Sequence, residues 1–148
     1  MPDITTYSFL DTTGSINHPL TGDYLFQGQE GIGSLNVSMT TEKTVHDVAA
    51  DGSVMVSKMA GENGQVSVEC QQTSQIHKYL LSTYNAVNFS RDTSQWAAMS
   101  MMIRNISDGS SHICSGMSFQ KIPDKPYQAQ GQRVTWTLMA ADIHSLTV

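Results

Sequence analysis

Two runs of strict polar–apolar alternation, separated by a few turn-forming residues, constrain this chain more than any other feature in it. Val54, Val56 and Lys58 alternate with Met55, Ser57 and Met59. Beyond Glu62-Asn63-Gly64, Val66, Val68 and Cys70 alternate with Gln65, Ser67, Glu69 and Gln71. A period of two puts successive side chains on opposite faces of a strand. An Asn-Gly pair between two such runs signals a β-hairpin, because both residues accept the positive φ of a tight turn. The reading is a hairpin that pairs these two runs. Directly after it Thr73-Ser74 offers an N-cap, with Ile76, Tyr79, Leu80, Thr83 and Tyr84 at helical spacing. Gln75, His77, Lys78 and Ser82 form the polar face. A helix of roughly three turns is expected there, ending near residues 85–88.

The rest of the chain reads mostly as strand. Residues 5–16 predict a first strand, and Pro19-Leu20-Thr21-Gly22-Asp23 a connection. Leu35, Val37 and Met39 form the apolar side of a second strand, opposite Asn36, Ser38 and Thr40. Residues 41–53 read as a long polar inter-strand loop with turn chemistry at Asp51-Gly52. Long connections in compact domains are usually functional or disordered. A Met-rich strand over residues 98–107 is joined by Asp108-Gly109 to another over 111–122, and residues 123–131 break the pattern. The final strand sets Val134, Trp136 and Leu138 against Thr135, Thr137 and Met139. Strands gathered around one helix predict a mainly β fold, a β-sandwich or barrel with one short flanking α-helix. Trp136 and Trp96 are the expected anchors; Trp96, beside a loop, is the better candidate for a subunit contact.

At 148 residues the chain is expected to be one domain spanning residues 1–148, large enough for a core without staples. Cys70 and Cys114 make no disulfide framework and read as small buried apolar side chains. No apolar run approaches the ~18 residues of a membrane span, so no membrane anchor is expected. Met1-Pro2-Asp3 is too polar to open a signal peptide, which suggests folding in a reducing cytoplasm. Charged residues are only 14% of the chain, fewer than a free monomer usually carries on its surface. Neutral polar groups are cheaper to desolvate and suit packing against copies of the same chain. Up to residue 75, nine acids face two lysines; beyond it, four acids face six basic residues. Complementary charge between subunits would explain that asymmetry, and so would chance.

Catalytic and metal signatures are missing. His18, His46, His77, His112 and His144 are scattered, with no HxxxH, HExxH or Cys/His pairing at ligand spacing. Asp47 and Asp51 share a loop, where carboxylates more often solvate a turn than perform acid–base work. Gly28, Gly31 and Gly33 precede a strand, so the helix N-terminus of a phosphate site is lacking. The expectation is no enzyme, no metal and no cofactor. Nor is there a basic stripe for nucleic acid, and a net charge of −5 repels phosphate.

The order of these short motifs carries more than any one of them. Ala50-Asp51-Gly52, the Met/Val strand, Asn63-Gly64, the next strand and the Thr73-Ser74 helix entry closely resemble tail tube proteins of contractile-tailed bacteriophages, of the PhiTE type. Tyr7-Ser8-Phe9-Leu10-Asp11 matches that family's opening strand, and residues 28–33 (GQEGIG) its Gly-rich turn. Lys121-Ile122-Pro123-Asp124-Lys125-Pro126-Tyr127, followed by Val134-Thr135-Trp136, matches its approach to the last strand.

The resemblance implies six-fold rings joined edge to edge and stacked into a hollow tube. That tube would be a virion tail component assembled in the host cytoplasm, alongside tail sheath, baseplate, tail terminator and tape measure proteins. Genomic DNA would pass through the lumen without specific binding. On this reading residues 41–53 reach between rings through Glu42, Val45, His46, Asp47, Val48 and Asp51; the plain alternative is a mobile surface loop. Glu62, Glu69 and Asp108 are the candidate lumen acids, since a Lys-lined bore would grip its cargo. Two rivals remain: the tube of a related bacteriocin or secretion device, and a small-molecule-binding β-barrel.

Overall fold

The alternation resolves into ten strands among the described residues of the computed structural model, which cover 3–27 and 31–147. They are β1 (Thr12–His18), β2 (Gly22–Gln27), β3 (Ile32–Met39), β4 (Thr44–Val48) and β5 (Val54–Lys58). After them come β6 (Gly64–Gln71), β7 (Met99–Asn105), β8 (Ser110–Lys121), β9 (Arg133–Ala140) and β10 (Asp142–Thr147). One helix, α1 (Gln75–Phe89), follows β6. Among the described residues no helix is long and apolar enough to cross a membrane.

Every pairing is antiparallel, and the main sheet runs β2-β1-β7-β8-β9-β6-β3, with β10 also on β8. β8 is the corner. Its first half pairs with β7 and β10, its last residues with β9. Between the halves Gly116 takes φ +62°, and a Cβ there would sit 2.8 Å from that of Ala141. A left-handed residue next to a close crossing needs glycine.

The core lies on the inward rows of this folded sheet: Ile16, Phe26, Met101, Ile103 and Cys114 from one half, Val66, Val68, Val134, Trp136 and Leu138 from the other. Trp136 is fully buried. Its ring meets Phe119 edge-on at 5.5 Å, and Phe119 meets Tyr84 at 5.6 Å. Trp96 is 40% exposed, so only Trp136 is the core anchor. Burial pushes both thiols up, that of Cys114 to about 11, so neither is a ready thiolate at neutral pH.

Helix α1 starts at Ser74, whose hydroxyl accepts the His77 backbone N–H, as the capping signal requires. It ends at Phe89, just past the expected end near residues 85–88, and Val87 continues the buried stripe of Ile76, Leu80 and Thr83. Tyr79 locks the helix to the β1–β2 end: its hydroxyl donates to the Gly22 carbonyl at 2.7 Å, and its ring stacks on Tyr24. His77 does not lie on the polar face. It is buried, and Trp136 Nε1–H donates to its Nδ1 at 3.0 Å. Burial, with the Lys125 charge adding, lowers its pKa below the ordinary 6.5. The unfolded chain therefore takes up a proton near pH 6.5 that the folded chain resists. Stability is full above that pH and falls as pH drops below it, by at most about 1.4 kcal/mol per pH unit for one proton. His77→Gln should flatten that slope in urea melts between pH 7 and 5; an unchanged slope would assign the acid sensitivity elsewhere.

Several local expectations change. The two alternating runs do form strands, but β5 does not pair with β6. β5 pairs with β4, while β6 lies between β3 and β9. Residues 41–53 are not a plain loop: they carry β4 and the turn into β5. The hairpin turn is Asp51-Gly52, with Gly52 at φ +90° and Ala49 N–H donating to the Ser53 carbonyl at 2.8 Å. Gly64 serves packing instead, since a Cβ there would lie 2.1 Å from the Ser38 carbonyl oxygen. The predicted opening strand is a 3-10 turn over Phe9–Asp11, with β1 only after it. Strand β2 begins within the expected Pro19–Asp23 connection, at Gly22, and β10 follows the supposed final strand; both escaped the sequence reading. Of the Gly-rich turn, residues 28–30 lie outside the described residues.

Candidate assembly interface

Backbone accounting points to where function lies. A strand with a neighbour on one side only leaves a row of N–H and C=O groups unpaired. Among the described residues both ends of the main sheet, β2 and β3, are such margins, and β10 has β8 alone as its neighbour.

A second feature is the β4–β5 hairpin, an arm inserted between β3 and β6. Its root is narrow: Thr40 N–H donates to the Asn63 carbonyl at 3.0 Å, and the side chains of Thr41 and Asn63 are hydrogen-bonded. Beyond the root every residue of β4 and β5 is exposed except the half-buried Ser57. One face of the arm carries Val48, Val54, Val56 and His46; the other carries Val45, Met55, Asp47 and Ser57. Val48, Met55 and Val56 are each more than 60% exposed, unusual for a two-stranded ribbon that has no core of its own. The Ser53 backbone N–H, followed by its hydroxyl, holds the Asp51 carboxyl below its usual range, so the tip stays anionic.

The six residues expected to touch between rings are thus partly gathered. Val45, His46, Asp47 and Val48 lie on β4, split between its faces, Asp51 sits at the tip, and Glu42 is near the root. Sequence reasoning missed Val54, Met55 and Val56, because they were assigned to a hairpin strand paired with β6. Their alternation is real, but both of its phases face outward.

The three candidate lumen acids have different neighbours, and no hydrogen bond or ion pair joins any two of them. Glu69 projects from the outward face of β6 and accepts from Arg133 at 3.0 Å. Glu62 lies beside β10, its Oε2 3.9 Å from His144 Nδ1. Asp108 sits in the β7–β8 turn, where the Ser110 hydroxyl and then its N–H hold its carboxyl low. His144 Nε2 is also 3.0 Å from Asp142 Oδ2. Its two ring nitrogens thus face different carboxylates.

The two outward faces differ in chemistry. On β3-β6-β9 the rows read Ser34-Glu69-Thr135, Asn36-Ser67-Thr137 and Ser38-Gln65-Met139, mostly hydroxyls and amides. On β2-β1-β7-β8-β10 the central row is Leu25-Ser15-Met102-Ile113-His144, with Leu25, Met102 and Ile113 all exposed.

Comparison with known proteins agrees with the fold. The family model described as bacteriophage PhiTE tail tube protein matches residues 4–147. Among solved structures, the anti-feeding prophage tube-terminating cap is similar with a TM-score of 0.63 at 9% identity, over 100% of this chain and 95% of that one. A chain of the sheath–tube complex of the extracellular contractile injection system PVC, in the extended state, gives 0.60 at 10% identity, over 97% and 93%. The anti-feeding prophage baseplate, symmetrised six-fold, contains a chain similar at 0.60 and 12% identity, over 100% and 97%. No curated protein sequence matches the chain.

Proposed function

Since the chain belongs to the bacteriophage PhiTE tail tube family, and is on that ground a tail tube structural subunit and not an enzyme, we propose how it builds the tube. Copies close into six-membered rings by pairing the β2 margin of one subunit with the β3 margin of the next. The observation that supports this is the pair of open margins at opposite ends of one sheet. A head-to-tail contact whose rotation closes makes a ring and leaves no free edge. Backbone hydrogen bonds then supply the adhesion, as in strand addition generally. Six-fold symmetry follows the similar baseplate, and the sheath and terminator of similar assemblies are the matching partners here. Baseplate and tape measure proteins complete the set.

Rings stack through the arm, with Glu42, Val45, His46, Asp47, Val48 and Asp51 meeting the next ring. The outward face of β3-β6-β9 lines the channel. Its charges are Glu69 and Arg133, paired, and Lys121 at the margin. Neutral polarity thus does more than net negative charge to keep DNA free to slide, with Glu69 silencing Arg133; Glu62 and Asp108 add acid at the ends of the strands. Ordered rings or tubes of the purified chain in negative-stain images would support ring closure. A wild-type chain that stays monomeric at high concentration would overturn it.

Reversing Glu69 gives a sharper readout. Glu69→Lys sets a second cation beside Arg133 on every subunit. Tubes should then retain DNA at 50 mM salt and release it near 200 mM, because phosphate contacts weaken steeply with salt. Equal DNA retention by both tubes would move the channel to another face.

A further inference from the structure

The outward face of β2-β1-β7 contains a trough built from side-chain length. On β1 the floor is Thr13 and Ser15; the walls are Leu25 on β2 and Met102 and Arg104 on β7. Short residues between long ones leave a groove of about 500 Å³. Its walls stand two strand spacings apart, about 10 Å. Leu25 is 74% exposed and Met102 47%. No carboxylate pairs with Arg104 among the described residues.

We propose that this trough receives the β4–β5 arm of another copy of the chain. The inference rests on the tube reading and names the surface that the arm grips. Val48 and Val54 are directly cross-strand on one face of the arm, with Val56 one pleat further along. A cross-strand pair spans about 5 Å, so one valine row fits between walls about 10 Å apart. Charge fixes the direction. Asp51 lies just beyond the Val48–Val54 pair at the tip, and Arg104 lies one pleat beyond Met102. With the valines over Leu25 and Met102, the tip carboxylate reaches the unpartnered guanidinium. Neither surface is covered within its own chain, since arm valines and trough walls are both exposed. Two unsatisfied apolar surfaces of matching width and opposite charge on one chain are complementary in a head-to-tail sense.

The experiment uses the full-length chain. One preparation carries Leu25→Cys, another Val54→Cys; the native thiols are buried. Mixed under assembly conditions and oxidised, they should give a disulfide-linked heterodimer that neither forms alone. Met102→Glu, which buries a carboxylate against apolar side chains, should raise the concentration needed for tube formation by at least about tenfold. Rings and tubes that form without the cross-link, with Met102→Glu assembling like wild type, would overturn the docking surface while leaving the tube reading intact. A double-cysteine chain that cross-links only within itself would also overturn it, by showing that the arm folds back. A wild-type chain that never assembles would remove both readings.

Discussion

Replacing residues 41–62 with a two-residue Asn-Gly turn should give a subunit that folds normally and builds no tube. The ends to be joined already meet. Met39 pairs with Gly64, and Thr40 N–H bonds the Asn63 carbonyl at 3.0 Å. A tight turn therefore converts β3 and β6 into a plain hairpin without moving either strand. The excised strands bury almost nothing, so the core is untouched. The main intramolecular loss is the bond from Ile143 N–H to the Glu62 carbonyl, worth ~1 kcal/mol. Thermal melting should shift by only a few degrees, of the order expected for ~1 kcal/mol in a domain of this size. Sedimentation velocity and electron microscopy should show monomers or single rings. Tubes of normal length from the shortened chain would show that stacking does not need the arm.

Trp136→Ala should be the most destabilising single change in the core, costing ~3–5 kcal/mol. That is a large share of the 5–15 kcal/mol typical of a domain. Three losses coincide. The ring is fully buried between the two halves of the sheet, the Tyr84–Phe119–Trp136 edge-on stack is cut, and His77 loses the donor to its Nδ1. His77 Nε2 has no hydrogen-bond partner among the described residues, so the mutant imidazole would be buried with neither nitrogen bonded. Trp136→Phe keeps most of the apolar area but still orphans Nδ1, and should cost about 1–3 kcal/mol. Urea unfolding of the arm-less monomer is the proper measurement, because assembly would otherwise add stability that depends on concentration. Trp96→Ala, a change at a partly exposed site, should leave that monomer within about 0.5 kcal/mol of its parent. Similar losses for the two tryptophans would mean that the ring cluster is not the structural centre.

Legibility differed by element. The helix was readable because a cap and an apolar stripe are both local: Ser74 does what its position predicts, and Val87 merely lengthens the stripe. The buried row of β9 was readable for the same reason. His77 was misplaced because its burial depends on Trp136, fifty-nine positions away. Strands β2 and β10 went unseen because each shows most of its residues to solvent, so neither displays clean alternation. The candidate interface was half legible: the 41–53 segment drew attention by length and polarity, and its partner strand was assigned to a hairpin with β6.

From the sequence alone came the strand content, the helix and its cap, the central tryptophan, the family and the lack of catalytic chemistry. All but the family follow from side-chain identity at short range; the family came from the order of short motifs along the chain. Only the tertiary structure decided which strands pair, that the arm stands clear of the core, and that sheet margins and a trough remain open. Pairing is made by backbone groups that are the same in every residue. The alternation around Val54–Lys58 and Gly64–Gln71 could therefore mark two strands without saying that β4 and β3, rather than each other, would be their neighbours.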